Sequence, residues 1–414
     1  MGIDIRRVQA YHGLVFHREK MPKKSTTVRL GVIGLGGMGS AHANAVQSGT
    51  IPGCELAAVS DQDETRAAQF PGVPFFRDAG DMLASGKVDA VVIATPHFAH
   101  TTLGIAALRA GVHVLVEKPI SVHKADCERL LAAHTNRRQV FCAMFNVRPE
   151  PAYQKLRELV RSGQLGEIRR VNWIITTWFR SEAYYASGGW RATWAGEGGG
   201  VLLNQCPHNL DMYQWIFGMP KKVRGFCQIG RYHHIEVEDD VTAYFEHANG
   251  QTGVFVTSTG EAPGTNRLEV VGEQGRLTLE DGALRYLRNE IPMTEFSRTT
   301  TSRFGAIPHW DVSIPVSQAT EFGNISILKN FINAILHGEP LISPAHEGIH
   351  SVELANAILY SSLTEKTITL PLDSRTYERK LNELIKKSKF KKKVARVKTD
   401  ASEFTKSFAL TAKR

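Results

Sequence analysis

The chain contains 414 residues, of which 42% are hydrophobic and 22% are charged, a composition typical of a folded globular protein with two domains. No apolar run approaches the roughly 18 residues of a membrane-spanning helix, which argues against an integral membrane protein. The five cysteines are scattered and contain no C-x-x-C pair. We therefore expect reduced thiols in a cytoplasmic protein, with neither a disulfide framework nor a metal site.

The net charge of +9 lies in the two ends of the chain. Residues 386–414 contain eleven Lys and Arg against two acids, residues 1–25 contain six against two, and the 360 residues between them carry a net charge of −4. Basic ends of this kind are usually solvated and disordered. We therefore predict basic extensions over 1–25 and 386–414, with Met1 or Met21 as the start, and no specific nucleic-acid partner.

The first predicted strand is an apolar run from Val28 that ends in a Gly-x-Gly-x-x-Gly turn, and a helix pattern follows from Ser40. In such a turn the first glycine permits the tight bend. The second lets backbone N–H groups approach a pyrophosphate at the positive end of the helix, and the third lets the helix pack against the strand. The turn residues predicted to bind a dinucleotide are Gly34, Gly36, Gly37, Met38 and Gly39.

A second predicted strand, Cys54–Ser60, ends at Asp61, 22 residues after Gly39. A carboxylate at this position accepts a hydrogen bond from the ribose 2′-hydroxyl of a dinucleotide and repels a 2′-phosphate. The residues directly after Asp61 offer no cation for that phosphate, and Arg66 falls one turn into the next predicted helix. We therefore predict NAD as the cofactor, with NADP less favoured. The alternative is a structural glycine turn in another α/β protein.

Strand and helix patterns alternate up to about residue 148, which predicts a Rossmann domain over 26–148 with a parallel sheet covered on both faces. The further predicted elements are strands 75–76 and 88–94, helix 100–110, strand 113–117, helix 125–134 and strand 139–145. Ligands of such sheets bind at the carboxyl ends of the strands. The strand-end residues predicted to contact the cofactor are Thr95, Pro96, His97, His100, Glu117 and Lys118.

From residue 149 the strands become longer and more widely spaced, which predicts a second domain over 149–385 with a large open, mostly antiparallel sheet covered by helices on one face. The fold class is therefore α/β followed by α+β. The predicted strands are 168–179, 222–230, 241–247, 253–258, 267–271 and 275–279. The predicted helices are 152–162, 201–217, 325–337 and 347–363, and residues 370–387 return across a surface.

The predicted helix 201–217 follows a glycine triplet and places Asn204, His208 and Asp211 at i, i+4 and i+7 on one face. With these residues the chain resembles the glucose–fructose oxidoreductase / inositol dehydrogenase (Gfo/Idh/MocA) family over about residues 27–385. The motifs that carry the resemblance are Gly34-x-Gly36-x-x-Gly39, Thr95-Pro96, Glu117-Lys118-Pro119 and Gly199-Gly200 with His208-x-x-Asp211.

The resemblance implies an NAD(P)-dependent dehydrogenase or reductase of sugars or cyclitols, built from a Rossmann domain and an open-sheet domain that forms homodimers or homotetramers. It also implies that Lys118 lies near the nicotinamide and the reacting hydroxyl, and that His208 is the general acid/base. These roles agree with the chemistry, because oxidation of an alcohol requires a group that takes the hydroxyl proton, and histidine titrates near neutrality.

One residue departs from the family pattern. Family dehydrogenases commonly carry Asp four residues before the histidine, where this chain has Asn204. An amide can orient sugar hydroxyls, and we count Asn204 as a third catalytic residue in that sense, but it cannot relay a proton. Two alternatives therefore stay open: an NAD-retaining glycoside hydrolase that works by transient oxidation, elimination, hydration and re-reduction, and a non-catalytic NAD sensor or nucleic-acid partner that acts through the basic tail.

An aromatic and arginine-rich segment over 178–194 precedes the predicted helix. Aromatic faces stack on the C–H faces of sugar rings, and arginine donates forked hydrogen bonds to hydroxyls or to an acidic group. Further polar residues lie at the predicted domain junction. The predicted contacts to a sugar, glycoside or cyclitol, an anionic one included, are Asn146, Arg148, Tyr185, Trp190, Arg191, Asn204 and His208.

Overall fold

The computed structural model describes residues 26–395. The predicted extension over 1–25 and residues 396–414 of the predicted tail lie outside the described residues. The first part of that tail is placed against the second domain, because the Ser388 hydroxyl donates to Glu236 and the Ala395 N–H donates to the Ala186 carbonyl. The folded part of the chain therefore continues beyond the predicted boundary at residue 385.

The first part of the described chain alternates strands and helices, as predicted. Its elements are β1 (Val28–Ile33), α1 (Gly37–Gln47), β2 (Cys54–Ser60), β3 (Phe75–Phe76), α2 (Ala79–Ala84), β4 (Ala90–Ile93), α3 (His97–Arg109), β5 (His113–Val116), α4 (Lys124–Ala132) and β6 (Phe141–Ala143), with a 3-10 helix over Glu64–Gln69. The strands form a parallel sheet in the order β3-β2-β1-β4-β5-β6. This order is that of dinucleotide-binding Rossmann sheets and confirms the predicted fold class of this domain.

The strand register brings the predicted cofactor residues to one edge of this sheet. Ile33 of β1 pairs with Ile93 of β4, and Ile93 pairs with Val116 of β5. The residues that follow these strands therefore lie side by side at their carboxyl ends. The chain runs outward from β1 to β3 and then crosses to β4 on the other side of β1, so this edge contains the topological switch point where ligands bind.

The second part of the described chain forms a larger sheet. Its elements are α5 (Pro151–Arg161), β7 (Ile168–Ile175), α6 (Glu182–Ala186), α7 (Pro207–Phe217), β8 (Lys222–Ile229), β9 (Glu238–Glu246), β10 (Thr252–Ser258), β11 (Asn266–Gly272), β12 (Gly275–Glu280), β13 (Ala283–Asn289), α8 (Met293–Thr299), β14 (His309–Ile314), α9 (Gly323–His337), α10 (Gly348–Thr364), β15 (Ile368–Thr369) and α11 (Ser374–Lys387), with a 3-10 helix over Ala345–Glu347. The strand order is β14-β13-β12-β11-β7-β10-β9-β8-β15.

This second sheet is mixed but mostly antiparallel, because among its strands only β7 and β10 pair in parallel within the described residues. One face packs against helices: Trp173, Phe245 and Phe255 share a buried core with residues of α5, α7, α10 and α11. The opposite face leaves large side chains such as Phe226 and Tyr244 exposed. The sheet is therefore open on one side, as predicted. The strands β13 and β14 at one end of this sheet, and β15 at the other, were not predicted.

The prediction of one helix over 201–217 is wrong in its first part, because α7 begins at Pro207. Proline suits the first turn of a helix and disfavours helical geometry in the residue before it. The N–H groups of Gly200 and Leu202 donate to the side chain of Glu238. Residues 198–206 are therefore a turn held by β9, and Asn204 does not share a helical face with His208.

The helix α9 lies on the first sheet although it follows the second one in sequence. Ile327 and Phe331 of α9 pack with Leu30 of β1 and Leu115 of β5 in one buried cluster. The predicted contiguous domain over 149–385 thus contributes a helix to the Rossmann half. The apolar periodicity of a helix predicts the helix but not the sheet on which it packs. Within residues 26–395, no helix combines the length and apolar character required to cross a bilayer.

Candidate active site

The glycine turn has the geometry that a dinucleotide requires. Gly34 has a φ of +90°, and a Cβ there would lie 2.7 Å from the Ala94 carbonyl oxygen. A Cβ on Gly39 would lie 1.7 Å from the Gly34 oxygen, so α1 can approach β1 only with glycine at this position. At Gly36, by contrast, a Cβ would meet only Arg66, at 3.9 Å. The space above Gly36 at the N-terminus of α1, which has no side-chain cap, suits a pyrophosphate.

The carboxylate of Asp61 lies beside this turn. Its Oδ2 accepts from the Leu35 N–H at 2.7 Å and its Oδ1 accepts from the Asp63 N–H at 2.9 Å. A carboxylate offers about four acceptor sites, so lone pairs remain for ribose hydroxyls. The structure corrects one detail of the sequence analysis, because Arg66 folds back and donates to the Leu35 carbonyl, with its Nε 3.8 Å from Asp61. A cation therefore does lie close to Asp61.

Glu117, at the end of β5, contacts helix α1 beneath the glycine turn. Glu117 is 6% exposed, and its Oε1 lies 2.8 Å from Nε2 of His42 on α1. Burial acts to raise the pKa of Glu117, but the hydrogen bond and charge of His42, with the charge of Lys118, outweigh it and hold the pKa below its usual value. Glu117 thus ties α1 to the end of β5. His42 belongs to no motif in the sequence and was not predicted as a site residue.

Lys118 extends from the end of β5 toward the second domain, where its Nζ donates to the Asn204 carbonyl at 2.6 Å. Burial lowers the pKa of Lys118, while the negative charges of Glu117 and Glu197 act to raise it. Among residues 26–395, the ammonium forms no salt bridge within 4.0 Å. Lys118 is therefore a cation at the junction of the two sheets with donor capacity to spare, since an ammonium has three N–H groups.

His208 enters the same junction from the first turn of α7. His208 is 7% exposed, and its ring lies edge-on to Phe145 with 6.3 Å between ring centroids. Burial, and after it the positive charge of Lys118, lower the pKa of His208 well below its usual value. Its Nδ1 has no hydrogen-bond partner within the described part of the chain. A neutral imidazole without a structural partner is suited to accept a proton.

Asn204 contacts a residue that the sequence analysis did not assign. Its Nδ2 donates to Oε1 of Glu197, which is 1% exposed and directly precedes the glycine triplet. The Glu197 Oε2 accepts from the Ala192 N–H at 2.6 Å. Burial raises the pKa of Glu197, and the charges of Arg191 and Lys118 oppose that rise. A lone Glu before a glycine run has no sequence signature, because only the turn over 198–206 brings it to Asn204.

The two predicted histidines of α3 contact backbone carbonyl groups of the neighbouring loops. The ring nitrogens of His100 lie 2.8 Å from the Pro119 and Thr95 carbonyls, which joins the ends of β4 and β5. His97 Nδ1 lies 3.2 Å from the Glu197 carbonyl, and its ring contacts Trp190 edge-on. His97 therefore connects the Rossmann half to the loop of the second domain. The buried Thr95 Oγ1 has no partner within residues 26–395 and remains free for a cofactor.

The aromatic and arginine-rich segment does form a cluster at the junction. The Arg191 guanidinium lies 4.6 Å from the centroids of both Tyr184 and Trp190, and it donates to the Tyr184 hydroxyl. Arg180 also lies over Tyr184. The contact predicted for Tyr185 is less direct, because this side chain is 5% exposed and its hydroxyl bonds to Thr259. Tyr184 is the tyrosine that meets the arginines.

The predicted substrate contact of Arg148 is corrected by the structure. Arg148 is fully buried, and its guanidinium donates twice to Asp211 of α7, at 2.8 and 2.7 Å, and also to Glu347 and to the Ile342 carbonyl. Its donors are therefore used inside the protein, and Asp211 is the buried partner of Arg148. Asn146 is half-buried in the same junction. Among the described residues, no cluster of three His, Cys, Asp or Glu side chains could hold a metal.

The fold and this junction define an oxidoreductase with an NAD-binding Rossmann domain. Residues 28–163 match the oxidoreductase family described by its NAD-binding Rossmann fold, and residues 153–278 match the GFO/IDH/MocA C-terminal domain. The chain belongs to the Gfo/Idh/MocA family of oxidoreductases, which confirms the resemblance found in its motifs.

Three similar proteins illustrate this relation. Inositol 2-dehydrogenase 1 of Saccharopolyspora erythraea is 35% identical over 147 residues, which are 34% of this chain and only 43% of that enzyme. Inositol 2-dehydrogenase of Rubrobacter xylanophilus is 26% identical over 346 residues, 81% of this chain and 91% of that enzyme. The WlbA dehydrogenase from Bordetella pertussis, solved with NADH and UDP-GlcNAcA, superimposes with a TM-score of 0.69 at 26% identity, covering 84% of this chain and 100% of that one.

Proposed function

We propose that this protein is an NAD-dependent dehydrogenase that oxidises a secondary hydroxyl of a sugar, glycoside or cyclitol. The observation that carries the proposal is that Lys118, at the carboxyl edge of the dinucleotide-binding sheet, donates to the Asn204 carbonyl at 2.6 Å, four residues before His208 of α7. The charge of Lys118 acts directly on the pKa of His208, so the two groups share one electrostatic environment. Relatives of this chain that are named inositol 2-dehydrogenase support this class of substrate.

In this proposal, separate residues bind the cofactor, stabilise the alkoxide, accept the proton and orient the substrate. The turn over Gly34–Gly39, Asp61 and Thr95 would hold the cofactor, which supplies the hydride acceptor when bound. Lys118 donates a hydrogen bond to the substrate oxygen and stabilises the developing alkoxide. His208 is neutral because of its lowered pKa and accepts the hydroxyl proton. Asn204 and the ring faces of the aromatic cluster orient the sugar.

The unpaired arginines favour a substrate with an acidic group. Arg180 and Arg191 form no salt bridge within 4.0 Å among the described residues, although both lie in the cluster beside Lys118. Guanidinium groups bind carboxylates and phosphates through paired hydrogen bonds. The Bordetella relative with bound UDP-GlcNAcA is consistent with this proposal.

The test is a panel of alcohols with NAD, followed by absorbance of the reduced nicotinamide. The panel contains myo-inositol, neutral and acidic pyranoses, UDP-GlcNAcA and nitrophenyl glycosides. We expect NADH to accumulate with at least one alcohol, and acidic compounds to show the lower KM. Release of nitrophenol without net NADH would instead indicate an NAD-retaining glycoside hydrolase. NAD binding with neither product would indicate a non-catalytic NAD sensor.

The preference for NAD over NADP is a separate part of the proposal and depends on Asp61. Replacing Asp61 with serine should weaken NAD binding about 10- to 100-fold, because a hydrogen bond to a charged acceptor contributes about 1.5–3 kcal/mol. The same change should improve NADP binding, since the repulsion of the 2′-phosphate is lost and Arg66 stays nearby. Calorimetry with both cofactors measures the ratio. Glu64→Gln, whose side chain faces Arg77, is the matched control, and equal affinity of the native protein for both cofactors would contradict the assignment.

We also propose that the protein forms a homodimer or homotetramer through the open face of the second sheet. Phe226 is 54% exposed and Tyr244 is 39% exposed on this face. Exposed apolar patches of this kind mark contact surfaces between proteins.

A further inference from the structure

Glu197 is a buried carboxylate at the centre of the proposed site, and neither the motifs nor the proposed mechanism uses it. It is 1% exposed, and each of its carboxylate oxygens has a partner: the Asn204 amide for Oε1 and the Ala192 N–H for Oε2. Burying a carboxylate is costly unless it is paired and hydrogen-bonded. A feature of this kind close to a lysine and a histidine calls for a functional explanation.

The contact with Glu197 determines the orientation of Asn204. An ionised carboxylate only accepts hydrogen bonds, so Asn204 must turn its Nδ2 toward Glu197. The Asn204 Oδ1 is then directed away from Glu197 as an acceptor for a substrate hydroxyl. The backbone carbonyl of the same residue accepts from Lys118 Nζ at 2.6 Å. One residue thus connects the carboxylate to the lysine.

The charge of Glu197 also acts on the lysine directly. Lys118 is half-buried, and this burial lowers its pKa, while the negative charge of Glu197 is one of the two that oppose this effect. The other charged groups that act on Glu197, or on which it acts, are Arg191, Glu238 and Lys392. Loss of the Glu197 charge alone would leave Lys118 with one carboxylate, Glu117, to keep it protonated.

We propose that Glu197 is a positioning residue for this dehydrogenase: its carboxylate fixes the Asn204 amide with Oδ1 toward the substrate and keeps Lys118 as an ammonium. The proposal rests on the proposed function, because it assigns Glu197 to the same reaction. It also explains how the chain tolerates Asn at position 204, since the carboxylate that this amide lacks is supplied seven residues earlier.

The first test is the isosteric variant Glu197→Gln. It retains the shape of the side chain but removes the charge, and it allows the Asn204 side-chain amide to flip so that Nδ2 and Oδ1 exchange places. We expect kcat to fall about 10-fold or more, as for the loss of a charged hydrogen bond, with NAD affinity unchanged. The alkaline limb of the kcat profile should move to lower pH, because Lys118 then loses its proton more readily. A kcat and an alkaline limb equal to those of the native protein would overturn the proposal.

An exchange of the two groups provides the sharper test. Asn204→Asp alone places two carboxylates in contact and should be impaired, whereas Glu197→Gln with Asn204→Asp restores one donor, one acceptor and one negative charge. We expect the double variant to recover kcat and the alkaline limb relative to both single variants. A double variant no better than either single one would overturn the proposal. The matched control is Glu236→Gln, a carboxylate that accepts from the Trp194 N–H in the same loop but does not contact Asn204.

A readout that does not need turnover separates this proposal from the proposed function. The pH dependence of Lys118 acylation, followed by peptide mass spectrometry, gives its titration midpoint in the native protein and in Glu197→Gln. A lower midpoint in the variant supports the role of Glu197, and an unchanged midpoint overturns it. Absence of NADH formation by the native protein with every alcohol would overturn the proposed function alone.

Discussion

Replacing His208 with asparagine is expected to lower kcat by about 10²- to 10⁴-fold, the range of general acid–base catalysis, with NAD affinity unchanged. Asparagine is polar and similar in size but cannot take up a proton near neutral pH. The imidazole has no hydrogen-bond partner within residues 26–395, so the substitution removes no structural hydrogen bond there. Steady-state kinetics on the best alcohol of the panel, together with calorimetry of NAD binding, measure the two quantities.

The pH profile of the native enzyme should report the same residue. Burial, and next the charge of Lys118, hold the pKa of His208 well below its usual value. Because the base must be neutral to accept a proton, kcat/KM for oxidation should remain on its plateau through about pH 6.5, where an ordinary histidine titrates. The rate should fall only at lower pH, as His208 becomes protonated.

The control for this variant is His337→Asn, because His337 is exposed at the end of α9. This change should leave both kcat and the pH profile at native values. An acidic limb that persists unchanged in His208→Asn, or a native kcat in that variant, would show that another group accepts the proton.

Replacing Arg148 with methionine is expected to reduce the free energy of unfolding by about 3–5 kcal/mol, the cost of removing one partner of a buried ion pair. Arg148 and Asp211 are 1% and 0% exposed in their side chains and are 2.7 Å apart. Methionine fills much of the volume but leaves the Asp211 carboxylate without its cation. Urea unfolding of the protein without cofactor, followed by circular dichroism, measures the change.

Two further variants test the explanation. Arg170→Met removes a surface ion pair with Glu269, in which Arg170 is 41% exposed, and should cost no more than about 1 kcal/mol. Arg148→Met combined with Asp211→Leu removes both charges and should be more stable than Arg148→Met alone, because no isolated charge remains buried. Stability of Arg148→Met within about 1 kcal/mol of the native protein would contradict a structural role.

Local features of the sequence determined the nucleotide half of the protein. The glycines of the first turn, Asp61 and the strand-end residues Thr95 and Lys118 are all predicted site residues, because each belongs to a short motif beside its own strand. Parallel strands place their carboxyl ends at one edge of the sheet, so these separate motifs were expected to meet there. The alternation of short apolar runs and helices was enough to predict the Rossmann sheet, and the wider spacing after residue 149 was enough to predict the second, mostly antiparallel sheet.

The details of the second half depended on contacts that no local pattern contains. The start of α7 is set by Pro207 together with hydrogen bonds to Glu238, which lies 36 residues beyond Leu202. Arg148 and Asp211 are 63 residues apart and form a buried ion pair. The sequence pattern instead places Arg148 in a substrate cleft and Asp211 on a helix face. The pair of Glu197 and Asn204 exists only because the intervening glycines fold into a turn. Motifs near a strand end predict which residues carry the chemistry, whereas only tertiary packing decides which polar side chains stay available for a ligand and which neutralise one another inside the protein.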